Sequence, residues 1–313
     1  MSPIVIAAHG GAGRLGLRQV KYPARKKYED GIADALEVGQ KILLKGGSAL
    51  QSVTETVAVL EDNELFNAGR GAAICSDGTV ELSASVMRGS DRAVGAMVGL
   101  KRTKNPVRAA KSILGHSHVL LFGPKADRYA DSKGLDMVPS TYFYTKRRRR
   151  QWERIRDSDT SVLDHSDDEP QGTVGAVARD RRGNLAAATS TGGLVNQLAG
   201  RVGDTPIIGA GTWADNKTCA VSATGKGDAF ARVSFARRVA DLIELGNYSL
   251  MDAGLFALEE VRAVKGQGGC IAIDSDGVLA MPFITEHMVR GWVVGKGRPT
   301  VAILPDEMIV KTQ

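Results

Sequence analysis

A regular alternation of apolar side chains begins just past the middle of the chain. Over residues 174–180 it predicts a strand with one buried face, and residues 184–189 repeat the pattern after a turn that ends in Gly183. Two such runs joined by a short glycine-containing turn predict an antiparallel hairpin. The preceding residues, 157–171, are too charged and too poor in apolar side chains to bury a surface. The apolar positions of the first strand's buried face are Val174, Ala176 and Ala178.

Helical spacing of apolar residues appears in both halves of the chain. It predicts helices over residues 28–44, 48–60, 228–245 and 250–261, and a second hairpin follows at 270–281. Helices and hairpins come in blocks, which favours an α+β fold of antiparallel sheets covered by helices over a parallel βαβ sheet. A shorter helix is predicted at residues 107–114, and shorter strands at residues 3–8, 79–86, 94–100 and 118–122.

Length and composition restrict the class of protein. A chain of 313 residues with 43% hydrophobic residues can bury the core of one large domain or of two closely joined ones. We expect no signal peptide and no membrane span, because residues 1–8 lack a basic region and a long apolar core and no apolar run in the chain reaches about 18 residues. Three scattered cysteines, Cys75, Cys219 and Cys270, are typical of a reducing cytoplasm.

The net charge of +6 does not predict a nucleic-acid partner. Residues 146–156 carry a net charge of +6 and residues 157–169 a net charge of −6, so the two blocks cancel locally. No aromatic-rich platform for bases surrounds them. The segment from about 141 to 172 is therefore predicted to be a solvated, mobile linker.

A glycine-rich motif near the N-terminus also resembles a nucleotide-binding fingerprint. Residues 11–16 fit G-x-G-x-x-G, which would place a pyrophosphate at the start of a helix. Pro23 interrupts the chain soon afterwards, and no second strand ending in an acidic residue follows. The motif alone is weak, and we do not expect a nucleotide site.

Thr173 is the candidate nucleophile. It stands at the first position of the predicted strand, so cleavage after Gly172 would make it a new N-terminus. A free α-amine has a pKa of roughly 7.7 to 8 and can take the proton of the threonine hydroxyl near neutral pH. Threonine is also common in strands, so a strand that merely begins with threonine remains the alternative at this point.

Three further clusters fit a small substrate that carries both an amino and a carboxylate group. Thr191 follows the second strand of the hairpin closely, and antiparallel pairing puts it near Thr173, where a second hydroxyl can orient the nucleophile. Arg201 can grip a carboxylate, and Asp204 can take an ammonium. The loop at 223–228 offers a hydroxyl and backbone N–H groups for an oxyanion. Each cluster taken singly also fits a turn or a helix cap.

Over nearly its whole length the chain resembles the plant-type asparaginases and isoaspartyl peptidases of the N-terminal-nucleophile hydrolase superfamily. By this resemblance the glycine-rich first motif is a structural turn and not a nucleotide loop. The motifs that carry the resemblance are His9-Gly10-Gly11-Ala12-Gly13, Phe66-Asn67-Ala68-Gly69-Arg70-Gly71, Gly172-Thr173-Val174-Gly175-Ala176-Val177-Ala178, Ser190-Thr191-Gly192-Gly193, residues 200–204 and Thr224-Gly225-Lys226-Gly227.

The resemblance implies that the chain cleaves itself between Gly172 and Thr173 into an α subunit (1–172) and a β subunit (173–313). Thr173 would act as nucleophile in that cleavage and in substrate hydrolysis. The implied catalytic residues are Thr173, Thr191 as its hydrogen-bond partner, Thr224 and Gly225 at the oxyanion, and Asn67 in a supporting network. The implied substrate-binding residues are Arg201 for the α-carboxylate, Asp204 for the α-ammonium, and Val202, Gly203, Thr224, Gly225, Lys226 and Gly227.

The resemblance also implies an architecture and partners. Residues 1–313 would form a single domain, a four-layer αββα sandwich of two antiparallel sheets flanked by helices, assembled as a dimer of αβ units. The substrates would be L-asparagine and β-aspartyl dipeptides, with no cofactor for the chemistry and neither a nucleic-acid nor a membrane partner. A structural Na⁺ ion would be held by the backbone of Leu60, Glu61, Asn63, Phe66, Ala68 and Arg70.

The chain departs from the family pattern at a few positions. Arg88 stands where an aspartate is usual, Ser83 replaces another acidic residue, and Arg70 and Lys226 add positive charge beside the ion loop and the substrate loop. None of these changes removes a catalytic residue. Two alternatives remain open: a glycosylasparaginase-like hydrolase, and a non-catalytic αβ binding protein with the basic linker as its interaction site.

Overall fold

The structure, a computed structural model, describes residues 3–13, 22–157 and 172–305, which form eight α-helices, two short 3₁₀ helices (Gly69–Gly71 and Ser140–Phe143) and twelve strands. The helices are α1 (Tyr22–Leu44), α2 (Ala49–Asp62), α3 (Pro106–Ser112), α4 (Gly123–Ser132), α5 (Lys146–Ile155), α6 (Gly227–Arg232), α7 (Phe235–Gly246) and α8 (Leu250–Ala263). The strands are β1 (Val5–Gly13), β2 (Leu82–Arg88), β3 (Ala93–Leu100), β4 (Leu120–Phe122), β5 (Val174–Arg179), β6 (Leu185–Thr191), β7 (Thr212–Ala214), β8 (Cys219–Gly225), β9 (Gly268–Asp274), β10 (Leu279–Ala280), β11 (His287–Val294) and β12 (Thr300–Ala302).

These strands form two sheets. The larger has the order β12-β11-β1-β5-β6-β2-β3-β4, and the smaller has the order β10-β9-β8-β7. Their pairings are antiparallel except for the parallel pair β3–β4. Both predicted hairpins, β5–β6 and β9–β10, are confirmed. The α+β class is therefore correct.

Apolar side chains collect in three clusters. One lies between the larger sheet and α1, α2 and α3, one between the two sheets, and one between the smaller sheet and α7 and α8. Successive residues of a strand point to opposite faces, so Ala176 joins the first cluster while Val177 joins the second. The prediction that β5 buries only one face is therefore wrong, because the second sheet covers its other face.

Two predicted helices differ from the observed ones. Residues 228–245 form not one helix but α6 and α7, because Ser234 adopts a left-handed conformation (φ 49°) that no α-helix continues through. Helix α1 begins at Tyr22, earlier than predicted, with Pro23 in its first turn, where a proline is tolerated. Pro23 therefore does not interrupt a helix.

The glycine-rich first motif is a strand and not a turn, at least as far as Gly13. Gly11 and Gly13 belong to β1 and pair with Val289 and His287 of β11, with an irregularity in the register after His9. Their backbone groups are engaged in a sheet and do not form a phosphate-binding loop. Residues 14–21 lie outside the described ranges.

The basic part of the predicted linker is helical. Thr145 caps the N-terminus of α5 by accepting a hydrogen bond from the Arg148 N–H, and the side chains of Arg148 and Gln151 are buried. The expectation of a solvated linker is therefore wrong for Lys146–Ile155. The acidic remainder of that prediction, residues 158–171, lies outside the described ranges.

Candidate active site

The β5–β6 hairpin brings the two predicted hydroxyls together. Val174 pairs with Ser190, so Thr173 at the start of β5 lies opposite Thr191 at the end of β6. The Thr173 hydroxyl donates to Thr191 Oγ1 at 3.2 Å, and the Gly193 N–H donates to the same oxygen at 3.1 Å. The predicted contact between Thr173 and Thr191 is confirmed.

A narrow cavity opens beside this pair. Its volume is about 20 Å³, which is room for about one water molecule. Gly172, the residue before Thr173, is part of its wall, so the cavity is that of the uncut chain. Predicted site residues that line it are Asn67, Gly172, Thr173, Thr191, Arg201, Gly203, Asp204, Gly225 and Gly227.

Asp204 is a buried carboxylate facing this cavity. Burial raises its pKa to about 6, although the charge of Arg201 and backbone N–H groups act in the opposite direction. Its Oδ2 has no hydrogen-bond partner in the described part of the chain. A Cβ added at Gly227 would lie 2.5 Å from Asp204 Oδ1, so a glycine is required there. An unpaired buried carboxylate oxygen is a ready partner for an ammonium group.

Arg201 already has an acidic partner that the sequence did not reveal. Its Nη2 lies 2.8 Å and its Nε 3.2 Å from the two carboxylate oxygens of Asp228, and its Nη1 donates to Gln197 Oε1 at 3.2 Å. Burial alone would raise the pKa of Asp228, but the hydrogen bonds and charge of Arg201 outweigh it and hold that pKa low. The guanidinium is thus oriented beside the cavity before any carboxylate arrives.

The predicted oxyanion residues lie at the end of β8. Thr224 is buried, and its hydroxyl has no hydrogen-bond partner in the described ranges. Gly225 has a φ of 146°, a conformation that favours glycine. A Cβ at Gly172 would lie 3.0 Å from Thr224 Oγ1 and 2.7 Å from Gly11 Cα. The Thr224 hydroxyl, which has no partner in the described ranges, therefore lies directly beside Gly172, the residue before Thr173.

Asn67 lies behind the turn that follows Thr191. It is buried, its Nδ2 donates to Gly193 O at 2.7 Å, and its Oδ1 accepts from the Ala73 N–H at 2.8 Å. The Gly192 N–H also donates to Asn67 O at 2.9 Å. Asn67 therefore fixes the turn that follows Thr191 and does not contact Thr173 through a described hydrogen bond.

Three predicted substrate-binding residues do not line the cavity: Thr224, which is buried beside Gly172, and Lys226 and Val202. Lys226 is exposed just before α6, and Val202 is 41% exposed. Val202 instead lines a larger neighbouring cavity of about 510 Å³, which shares Thr191 and Arg201 with the smaller one. Sequence alone does not separate side chains that face the nucleophile from those that follow them in the same loop.

Beside Thr173 lies a series of buried polar side chains, joined by hydrogen bonds, that the sequence did not predict. His9 Nε2 lies 2.9 Å from Ser222 Oγ, and Ser222 is joined to Thr189 at 2.8 Å. Thr212 donates to Thr189 at 2.6 Å, and Ser85 donates to Thr212 at 2.7 Å. These side chains cross between the two sheets. Strand hydroxyls give no pattern in the sequence, so only His9, within the first motif, offered a signal.

His9 is neutral in this environment. Burial lowers its pKa to about 3, only partly offset by a hydrogen bond with the backbone of Thr173. A Cβ at Gly175 would lie 1.9 Å from Ser222 Oγ and 2.4 Å from His9 Nε2. A glycine at position 175 therefore leaves room for both side chains against the backbone that follows Thr173. His9, Ser222 and Thr189 thus form a buried, hydrogen-bonded polar layer next to Thr173.

The described part of the chain holds no group of three or more His, Cys, Asp or Glu side chains arranged for a metal ion. Among the helices of these ranges, none has both the length and the apolar character needed to cross a membrane.

Comparison with known proteins agrees with this geometry. A family model described as Asparaginase matches residues 1–303. An isoaspartyl peptidase of Salmonella typhimurium is 44% identical over 310 residues, which cover 97% of this chain and 99% of that protein. An isoaspartyl peptidase of Escherichia coli is also 44% identical, covering 97% of each chain. An isoaspartyl peptidase/L-asparaginase of Bos taurus is 38% identical over 299 residues, 95% of this chain and 94% of that one. The matched range includes all the strands of both sheets, and the chain belongs to the asparaginase family.

Proposed function

We propose that this chain is a self-processing threonine amidohydrolase that cleaves the side-chain amide of L-asparagine and of β-aspartyl dipeptides. The single observation that carries the proposal is the meeting of the Thr173 hydroxyl with an unpaired buried carboxylate, Asp204, in one cavity. The names of the bacterial relatives, isoaspartyl peptidase, and of the bovine one, isoaspartyl peptidase/L-asparaginase, support the substrate class.

The first reaction is self-cleavage. The Thr173 hydroxyl attacks the carbonyl carbon of Gly172, the peptide C–N bond breaks, and water hydrolyses the resulting ester. This frees the α-amine of Thr173 and the carboxyl terminus of Gly172. Because Gly172 forms part of a cavity of about 20 Å³, its departure is what gives an aspartyl group room to enter.

Substrate binding uses the two charges beside the nucleophile. Arg201 takes the substrate α-carboxylate through its planar fork of donors, and Asp204 takes the α-ammonium. Asp228 holds the guanidinium in place, since it contacts both Nε and Nη2 of Arg201. Both anchors grip the aspartyl part of the substrate, so either ammonia or an amino acid can be the leaving group.

Hydrolysis then follows two steps. The Thr173 hydroxyl attacks the substrate's side-chain carbonyl while the free α-amine takes the hydroxyl proton. The Thr224 hydroxyl and the Gly225 backbone stabilise the oxyanion. The amine proton passes to the leaving nitrogen, the C–N bond breaks, and a water molecule hydrolyses the β-aspartyl ester to regenerate Thr173.

The wider architecture is proposed on the same basis. We infer a four-layer αββα sandwich, supported by the three apolar clusters between helices and sheets. We infer a dimer of αβ units, supported by the apolar edge strand β4, where Phe122 is 74% exposed. Three free buried cysteines support a cytoplasmic location.

A structural Na⁺ ion fits the loop at residues 60–70. A Cβ at Gly69 would lie 2.4 Å from Glu61 O, and one at Gly71 would lie 2.0 Å from Phe66 O, so these glycines let backbone carbonyls turn close together. Carbonyl oxygens can replace the hydration shell of an alkali cation. The Arg70 guanidinium stacks on Tyr142, 5.4 Å from the ring centre, and is thereby held by an aromatic face. A higher Tm in NaCl than in KCl of equal ionic strength tests the ion.

Self-cleavage is tested on a denaturing gel. The wild-type chain of 33.2 kDa should give bands of about 18 and 15 kDa, and Thr173→Ala should stay intact. Thr173→Ser, which keeps a hydroxyl, is the matched control and should be cut. The wild-type protein should then release aspartate from L-asparagine and from a β-aspartyl dipeptide. A single intact wild-type band after long incubation, with no hydrolysis, would refute the proposal.

A further inference from the structure

Helix α5 divides its run of arginines into two faces. Arg148 is buried, and Arg147 is half-buried, whereas Arg149 and Arg150 are exposed. Arg149 makes an ordinary surface pair with Glu153, one turn along the helix, at 2.9 Å. Arg147 and Arg148 thus face the protein interior, whereas Arg149 and Arg150 face solvent.

The inward arginines hold the backbone of the segment 64–73. Arg148 donates from Nε to Gly71 O and from Nη1 to Gln151 Oε1 at 3.0 Å. Arg147 donates from Nη2 to Leu65 O at 2.8 Å and to Glu64 O at 3.2 Å. A guanidinium fits such contacts because its donors lie in a fixed fork.

The other side of this segment contacts the catalytic turn. Asn67 accepts from the Ala73 N–H and donates to Gly193 O. A Cβ at Gly192 would lie 2.4 Å from Ala72 Cβ, so the segment and the turn are in close contact. The Gly193 N–H in turn donates to the Thr191 oxygen that accepts from Thr173. Hydrogen bonds and packing therefore run without a gap from α5 to the nucleophile.

Helix α5 also contacts the other future subunit. Asn196 Nδ2 donates to Ile155 O at 3.2 Å, near the C-terminal end of α5. Asn196 lies after the proposed cleavage site and Ile155 before it. The helix therefore has anchors on both sides of the cut.

We propose that Arg148, aided by Arg147, is a positioning residue: α5 clamps segment 64–73 so that Asn67 and the turn at 191–193 hold Thr191 against the Thr173 hydroxyl. This inference rests on the proposed function for its kinetic test, but its structural test does not. The clamp stays in place after self-cleavage, so it serves both the precursor and the cut enzyme.

The structural test uses amide hydrogen exchange in the uncut Thr173→Ala chain. The reporters are the N–H groups of Ala73, Gly192 and Gly193, each of which donates to a group in the contact path. Arg148→Gln should accelerate their exchange while β9 and β10 are unaffected. The matched control Arg149→Gln should change none of these rates. Equal exchange in both variants would overturn the proposal whether or not the wild-type protein is active.

The kinetic test uses the cut enzyme. Arg148→Gln should lower kcat about tenfold or more, because a small displacement of a reacting group has a large effect on rate, and leave KM within about twofold. Arg148→Lys keeps one charged donor and should restore part of kcat, while Arg149→Gln should match the wild type. An unchanged kcat in Arg148→Gln, or a change in KM alone, would contradict the proposal.

A third variant covers the case in which Arg148→Gln does not fold. Gln151→Met keeps the length of the side chain and removes the acceptor that orients the Arg148 guanidinium, together with Nε2, which has no hydrogen-bond partner in the described ranges. It should accelerate amide exchange at Ala73 and Gly192 and lower kcat, as Arg148→Gln does, but by a smaller amount. A folded Gln151→Met enzyme with wild-type exchange and kcat would refute the clamp.

Discussion

Replacing Asp204 by asparagine should make the uncut chain more stable while it weakens substrate binding. Asparagine has the same shape as aspartate, and its amide oxygen can still accept the hydrogen bonds that backbone N–H groups donate to Asp204. It removes only the negative charge. The Thr173→Ala background keeps the chain uncut, so that unfolding of one species is measured.

The magnitude follows from the raised pKa. Burial raises the pKa of Asp204 from 3.8 to about 6. At about 1.4 kcal/mol per pKa unit, keeping this carboxylate ionised in the fold costs about 3 kcal/mol at pH 7.5. The folded chain binds the proton more tightly than the unfolded chain. Stability from this group is therefore present below about pH 4 and lost as the pH rises through 6.

Urea unfolding of the two chains at pH 4.5, 6 and 7.5 measures this difference. Asp204→Asn should gain up to about 3 kcal/mol at pH 7.5, and the gain should shrink towards pH 4.5. Asp131→Asn, an exposed position on α4, is the control and should leave the free energy of unfolding unchanged. In the cut enzyme, Asp204→Asn should lower kcat/KM by about ten- to a hundredfold, the loss of one charged hydrogen bond.

The reasoning fails if Asp204→Asn is less stable than its parent at pH 7.5, or if the gain does not depend on pH. Either result would mean that the carboxylate is already compensated within the uncut chain. Asp204 would then be a structural residue, and another group would have to receive the substrate ammonium.

Three further substitutions test separate parts of the site. Thr191→Val keeps the side-chain shape but removes the hydroxyl 3.2 Å from Thr173 Oγ1, and initial rates should show kcat reduced about tenfold or more with KM unchanged. Gly227→Ala places a Cβ 2.5 Å from Asp204 Oδ1 and should raise KM about tenfold; an unchanged KM would argue against this placement of Asp204. Burial raises the pKa of Glu61 to about 8, so the parent chain should lose stability as the pH rises from 4.5 through 8. Glu61→Gln should lose less, because only the contribution of Asp204 remains, and its advantage in urea should grow between pH 6 and 8; a constant difference would contradict the assignment.

The parts of the site that sequence predicted well are local in the chain. The β5–β6 hairpin follows from two alternating runs and a short turn, and its register alone puts Thr191 beside Thr173. Arg201 and Asp204 were found because an acid and a base stand three residues apart in a glycine-rich loop. Their chemistry needs no knowledge of the remaining fold.

The parts that sequence missed depend on contacts between distant segments. Asp228 orients Arg201 across 27 residues, and Ser222 reaches His9 across 213. Neither hydroxyls in strands nor acids in a first helical turn carry a pattern that points to such partners. Only the packing of the two sheets brings them together.

The arginine run at residues 147–150 shows a different limit of prediction from sequence. Counting charge treats arginines as solvated, and for Arg149 that is right. Arg148 is buried because its guanidinium finds a backbone carbonyl, and carbonyls are present at every position of the sequence. The acceptor therefore leaves no signal, and the docking of α5 is visible only in the structure.

The smallness of the cavity beside Thr173 has a kinetic consequence. A space of about 20 Å³ holds about one water molecule, so the uncut chain cannot bind asparagine there. On the proposed function, we therefore expect substrate and self-cleavage not to compete for Thr173. The rate at which active enzyme appears should be first order in precursor and the same at any asparagine concentration. Maturation would then depend on when the chain is synthesised and not on the concentration of its substrate.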